Sequence, residues 1–149
     1  MKKIFAERLN ELIELEGIKQ KELIEILGVS KSSFILWKEG RNFPRYDYLI
    51  KIAAFFNVTL GYLIGESPFK SINIDVARVL NNLPTIFIKR ITDYKEKEKL
   101  SYYALAQKVG MDQTSVTGWF KGNVPEIESL KKLANAIGET VDFLLGIEE

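Results

Sequence analysis

The sequence predicts an all-α chain of two tandem five-helix domains joined by a linker and an extra helix. Three observations carry that prediction. The first is an internal repeat. Trp37 and Trp119 stand 82 positions apart, and the same offset pairs Ile4 with Ile86, Phe5 with Phe87, Arg8 with Arg90, Leu23 with Leu105, Gly28 with Gly110, Ser33 with Ser115 and Gly40 with Gly122. One residue is then lost from the second copy, and matches continue at an offset of 81: Pro44 with Pro125, Leu49 with Leu130, Ala53 with Ala134, Thr59 with Thr140, Leu63 with Leu144 and Gly65 with Gly146. A period of this length is too long for a solenoid unit and describes two copies of one small domain. The second observation is apolar spacing of helical type throughout, with no convincing strand. The third is glycine at the places where those helices should stop.

The elements follow in order. Phe5, Leu9, Leu12 and Ile13 share a face opposite Glu7, Arg8, Glu11 and Glu14, which predicts an amphipathic helix over about 3–16, ended by Gly17. A second helix, about 20–27, turns Leu23, Ile26 and Leu27 inward and stops at Gly28, where a tight turn needs positive φ. Ser30 caps a third helix running to about Lys38, Gly40 stops it, and Pro44 marks the following loop. A fourth helix over about 46–56 buries Leu49, Ile52, Ala53 and Phe56, and Thr59 caps a short fifth ending at Gly65. In the second copy the helices fall at about 85–98, after Ser101, after Asp112, at 126–137 and at 140–145. Between the copies, Glu66-Ser67-Pro68 has linker composition. Asn73 is placed to cap an extra helix over 74–82, which Pro84 separates from the second copy. The expected division is residues 1–66, a linker with a short helix over 67–83, and residues 84–149.

Composition removes several function classes. With no Cys and no His, disulfides, thiol chemistry and the commonest metal ligand and general base are absent. No phosphate-binding Gly-rich loop, metal cluster or nucleophile–base pair appears, so catalytic residues, metal and cofactors are all expected to be none. The start, MKKIFAERLNEL, interrupts its apolar positions with charge and does not read as a signal peptide. No apolar run approaches the ~20 residues of a membrane span. The expectation is a cytoplasmic protein without membrane association and with no evident small-molecule effector. The net charge is only +1, but its distribution is uneven: the stretch from Lys31 to Lys51 balances at +3, and its counterpart from Asp112 to Lys132 at zero. The run Lys95 to Lys99 reads as a solvated helix face.

Helix, Gly-containing turn and helix, with apolar residues at the internal contacts, form a helix-turn-helix unit. It runs from Gln20 to Trp37 and again from Tyr102 to Trp119, framed by Leu23, Gly28, Val29, Phe34 and Trp37, then by Leu105, Gly110, Met111, Val116 and Trp119. With Gly40, Pro44 and the closing Thr59-to-Gly65 and Thr140-to-Gly146 segments, each copy resembles a five-helix domain of the Cro/lambda-repressor-like (Xre-type) family. The resemblance covers nearly the whole chain apart from the linker and extra helix. It implies binding of double-stranded DNA, transcription regulation and a possible homodimer. Three positions depart from the family pattern. Ile24 stands where a small residue is preferred (Ala106 obeys), which implies a slightly opened first helix pair. Tyr102 replaces the Gln that opens the motif. Lys38 and Phe120 stand where Glu is frequent.

Geometry then selects the candidate contacts. At about 100° per residue, Phe34 and Trp37 define the buried side of the third helix. The opposite side carries Lys31, Ser32, Ile35 and Leu36, and in the second copy Gln113, Thr114, Thr117 and Gly118. Such a helix fits the major groove, where Gln113 suits adenine, Thr117 a thymine methyl, and Lys31 guanine or a phosphate. The resemblance puts Gln20, and with less support Tyr102, at phosphates. Arg41, Asn42, Arg45 and Lys121 follow the helices and suit backbone contacts, which add affinity rather than sequence choice. Ile35 and Leu36 either read thymine methyls or form an apolar patch for another protein. Asn42 and Asn123 serve as turn formers or as contacts, and the two tryptophans belong to the core. The overall expectation is a sequence-specific DNA-binding regulator, read as a repressor. The alternative is a second domain used for dimerisation or partner binding while only the first meets DNA.

Overall fold

In a computed structural model, residues 1–148 are described, and they hold ten helices and no strand beyond an isolated antiparallel bridge between Val58 and Ser71. The chain divides into two compact units, Met1–Val76 and a second beginning at Ala77. Unit 1 contains α1 (Lys2–Glu16), α2 (Gln20–Leu27), α3 (Lys31–Lys38), α4 (Tyr46–Phe56) and α5 (Leu60–Leu63). Unit 2 is built on α6 (Val76–Lys97), α7 (Tyr102–Val109), α8 (Gln113–Trp119), α9 (Ile127–Ile137) and α10 (Val141–Leu144). The expected all-α, five-helix architecture is present in both.

Each unit has one apolar core. In unit 1, Phe5, Leu9, Leu23, Phe34, Leu49, Ile50, Ile52, Ala53, Leu60 and Leu63 have no solvent exposure. Most of their repeat partners do the same in unit 2, where Phe87, Leu105, Val116, Leu130, Ala134 and Leu144 are all buried. The tryptophans lie in these cores as expected. Trp37 packs its ring at 6.2 Å from Phe34 and 5.6 Å from Tyr48, and Trp119 at 6.4 Å from Phe87, in each case tilted or edge-on as aromatic quadrupoles prefer.

The first and last helices of each unit are clamped together in the same way. Arg8 of α1 donates from Nη1 to the Tyr62 carbonyl and to the Ser67 carbonyl at 3.2 Å, with its guanidinium 4.3 Å from the centre of the Tyr62 ring. Arg90 of α6 donates to the Phe143 carbonyl and to that of Glu148 at 2.8 Å, with its guanidinium 4.1 Å from the Phe143 ring. A carbonyl in the last turn of each four-residue helix thus receives a charged donor beside a backbone N–H, and the charged donor makes the stronger kind of hydrogen bond. One turn away, Gly65 and Gly146 admit Ile4 and Ile86. A Cβ on either glycine would come within 2.9 and 3.0 Å of an Ile Cγ2, and both glycines hold positive φ, 85° and 80°. No side chain satisfies both constraints.

One element departs from the sequence expectation. The separate helix over 74–82 and the break at Pro84 do not occur: α6 runs unbroken through Pro84. Proline removes one intrahelical bond and crowds the carbonyl four residues earlier. Here Val79, Leu83, Phe87 and Ile91, spaced at i+4, are all buried along one stripe, while Pro84 is exposed. Burial on both sides of the proline outweighs the local cost, and the extra helix becomes the first turns of α6. The residues after α5 fold back on unit 1, where Ile72 N–H donates to the Asn57 carbonyl at 3.0 Å and Phe69 meets Tyr62 edge-on at 5.7 Å.

The two units solve one turn differently. Gly17 ends α1 at φ 66°, whereas its repeat partner Lys99 follows α6 at φ 55°. A side chain with a Cβ is strained there by roughly 1 kcal/mol relative to glycine. Lys99→Gly is expected to stabilise unit 2 by about 1 kcal/mol, read as a rise in denaturation midpoint with unchanged m-value. The clamp makes a second prediction. Arg8→Met keeps an apolar stem but removes the charged donor, and should destabilise unit 1 by about 1–3 kcal/mol in chemical denaturation.

Candidate nucleic-acid interface

Each unit presents a short helix whose inner face is fixed by the core. Gly28 and Gly110 close α2 and α7 in the left-handed conformation, at φ 67° and 81°, so that the chain reverses into α3 and α8. The second helix of each pair is capped by a side chain. Ser30 Oγ accepts from Ser33 N–H at 3.2 Å, and Asp112 accepts from Ser115 N–H at 3.0 Å and from the Ser115 hydroxyl at 2.8 Å. The hydrogen bonds from Ser115, the hydroxyl's first and then the backbone's, hold the Asp112 carboxyl below its ordinary pKa. Because the folded value is depressed, the capping contribution is complete above the usual carboxylate range and fades as pH falls through the lower, folded value. An NMR titration of Asp112 should therefore give a midpoint below that of a free aspartate, and Asp112→Ser should remove the acid sensitivity of α8 while the Ser30 cap of unit 1 stays insensitive.

The packing within the two helix pairs differs. α7 and α8 lie in close contact, while α2 and α3 approach each other far less. Ala106 is buried at the α7 contact, whereas the bulkier Ile24 is half-buried at the equivalent place. The looser contact of α2 with α3 goes in the direction expected from Ile24.

With Phe34, Trp37, Val116 and Trp119 buried, the opposite faces are open. On α3, Lys31 and Ser32 are exposed, and Ile35 and Leu36 are half-buried. On α8, Gln113 and Thr114 are exposed, with Thr117 and Gly118 half-buried. Thr117 donates its hydroxyl to the Thr114 carbonyl at 3.0 Å, so that hydroxyl is already used within the helix. Arg41, Asn42, Arg45 and Lys121 are exposed in the loops that follow. Arg41 meets Glu39 at 3.5 Å and Arg45 meets Asp47 at 3.9 Å, pairs too exposed to hold either cation strongly. The Asn42 carboxamide oxygen accepts from Phe43 N–H at 2.9 Å, a local turn contact.

The start of each motif is tied to the end of its second helix. Gln20 Oε1 accepts from Lys38 Nζ at 3.1 Å. In unit 2 the same two positions hold Tyr102 and Phe120, whose rings meet edge-on at 5.0 Å, with Lys95 Nζ 4.4 Å from the Tyr102 ring. A polar bridge in one unit is thus an aromatic pair in the other. Lys38 and Lys95 border these faces without having been singled out as contacts from sequence, and Asn123, read there as a turn former or a contact, borders them too. For Lys95 no local pattern could have done so, since the turn that brings α6 to α7 sets its position. A cleft of about 340 Å³ opens beside α8, lined by Thr114, Gly118, Trp119, Asn123 and Ser129 among others. Among the described residues there is no group of acidic side chains suited to a metal ion, and no helix is long and apolar enough to cross a membrane.

This geometry is that of a protein carrying two helix-turn-helix domains. Comparison with known families agrees: a helix-turn-helix domain profile matches residues 6–65, and a second helix-turn-helix profile matches residues 91–144. Both units thus carry helix-turn-helix domains of the kind typical of Cro/lambda-repressor-like (Xre-type) DNA-binding transcription regulators. It is similar to the HTH-type transcriptional regulator YqaE of Bacillus subtilis (strain 168), with 29% identity over 83 residues, 55% of this chain and 72% of the relative. It is also similar to the cryptic phage CTXphi transcriptional repressor RstR of Vibrio cholerae, 24% identical over 112 residues, 75% of this chain and 93% of the relative. A third relative, the HTH-type transcriptional activator BcrR of Enterococcus faecalis, is 33% identical over 60 residues, 40% of this chain and 29% of the relative. No solved structure matches the chain significantly.

Proposed function

We propose that the chain is a sequence-specific double-stranded DNA-binding repressor of transcription, acting in the cytoplasm, and that both domains read DNA. The observation that carries this reading is that α3 and α8 stand on the same buried frame while their open faces carry different side chains, Lys31, Ser32, Ile35 and Leu36 against Gln113, Thr114, Thr117 and Gly118. A conserved frame with divergent faces suits two domains that enter successive major grooves and read unlike half-sites. The second domain is covalently attached, so its binding profits from a high effective concentration once the first is engaged, in place of or in addition to homodimerisation. Repression is favoured because the similarity to RstR spans 93% of that repressor. Arg41, Arg45 and Lys121 supply exposed cations for phosphates, and Gln20 and Lys38 together form a polar pair at the expected phosphate position.

A second reading gives the second domain to dimerisation or another protein partner. The Tyr102–Phe120 pair favours it, because it replaces the polar Gln20–Lys38 bridge with apolar surface, and so does the neutral charge balance after Asp112. Selection of duplexes from a random library separates the two. Lys31→Ala with Ser32→Ala, and separately Gln113→Ala with Thr114→Ala, should each cost roughly tenfold or more in affinity and alter preference in a different part of the selected site. If only the first pair matters and footprinting gives one protected segment per chain, the second reading holds. If neither pair changes binding, the assignment of these helices to the groove is wrong.

A further inference from the structure

We infer that Asn123, a loop residue, is the side chain that reads a base in place of the missing side chain of Gly118, so that the second domain's sequence choice is set partly from outside its recognition helix. This rests on the proposed reading that α8 enters a DNA groove. Position 118 is the repeat partner of Leu36, and Leu36 covers its part of α3 with a branched apolar group. Gly118 leaves that part of α8 bare. The loop that follows is one residue shorter in the second copy. Its first residue after Gly122 is anchored to the helix, with Asn123 N–H donating to the Gly118 carbonyl at 3.1 Å.

The side chain then lies back over the bare backbone. A Cβ built on Gly118 would stand only 3.2 Å from the Asn123 carboxamide nitrogen, and its other near neighbour would be the Asn123 Cβ. Asn123 is exposed and beside Thr114 and Gly118, on the helix face opposite the buried Val116 and Trp119. In unit 1 the equivalent residue Arg41 has the same backbone anchor, N–H to the Leu36 carbonyl at 3.0 Å, but its side chain meets Glu39. Leu36 already occupies the space. The two units therefore offer opposite chemistry at one place on the groove face, an aliphatic group suited to a thymine methyl in unit 1 and a carboxamide in unit 2. A carboxamide can donate and accept at once, the pattern that adenine presents in the major groove.

The test is library selection with the full chain, followed by affinity measurement on the selected site and on its single-base variants. Asn123→Ala should flatten preference at one base pair within the part of the site read by the second domain. Discrimination there should fall roughly ten- to a hundredfold, with other positions and the salt dependence unchanged. Gly118→Leu should flatten the same position by displacing the carboxamide. Melting curves of both variants check that the fold is retained. Uniform weakening across all sequences, with no loss of preference at any single base pair, would make Asn123 a phosphate contact and overturn the inference. A selected site that both variants share with the parent chain would overturn it while leaving DNA reading intact. A parent chain that enriches no sequence would remove the DNA reading and this inference together.

Discussion

Each unit is closed by one arginine reaching from its first helix to the carbonyls of its last. Arg8 and Arg90 make the same pair of contacts, to the fifth-helix carbonyl and to a residue beyond it, and each lays its guanidinium on the aromatic ring at that helix. The rest of the unit depends on this closure because little else is long enough to stand alone. α3 and α8 have eight and seven residues, and α5 and α10 have four each, all well below the length at which an isolated helix persists in water. Their order comes from the core they cover. α1 packs on both α3 and α5. Holding α5 against α1 therefore steadies the helix on which α3 packs.

The repeat is correspondingly stricter inside than outside. Many core positions are identical, as at Phe5 and Phe87, Leu23 and Leu105, or Trp37 and Trp119, and others keep their apolar character while trading volume, as at Phe34 and Val116. The surface has no such limit. The contact between the start of one motif helix and the end of the next survives as a contact while its chemistry inverts, from Gln20 and Lys38 to Tyr102 and Phe120. What is kept is the coupling of the two helices, and what varies is the surface they offer.

Most of the architecture was legible in the sequence, because helix ends are local events. Glycine at a left-handed position and a hydroxyl or carboxylate before an apolar run each act within four residues, and Gly28, Ser30, Gly110 and Asp112 all mark their helix ends as read. The miss at Pro84 has the opposite character. Proline's cost is local, but the stripe Val79, Leu83, Phe87 and Ile91 that offsets it is recognised as burial only once α6 has a partner. Lys99 is illegible for the same reason: no residue rule expects lysine at positive φ, and the turn is set by the helices on either side. At the candidate interface, the helix faces followed from 100° periodicity. Asn123 did not, since periodicity says nothing about where a loop side chain returns. The missing residue after Gly122 was visible, but its consequence needed the backbone.

The uneven charge of the copies also takes on a physical meaning when set beside the structure. Phosphate contacts are the salt-sensitive part of DNA affinity and carry no sequence information, whereas base contacts discriminate. The first unit's surplus of cations is confined to the stretch from Lys31 to Lys51, around its open helix face, and the partners of Arg41 and Arg45 are weak enough for a phosphate to replace them. The matching stretch of the second unit has no surplus, yet its open helix face is wholly polar or bare and lies beside a cleft. A face without surplus charge would bind DNA poorly as a separate molecule. Tethered to a domain whose face carries cations, it needs less affinity of its own, because the first encounter has already supplied the concentration. On the proposed reading, duplication therefore allows a division of labour that a symmetric dimer cannot have: one copy supplies most of the attraction, and the other is free to spend its surface on discrimination.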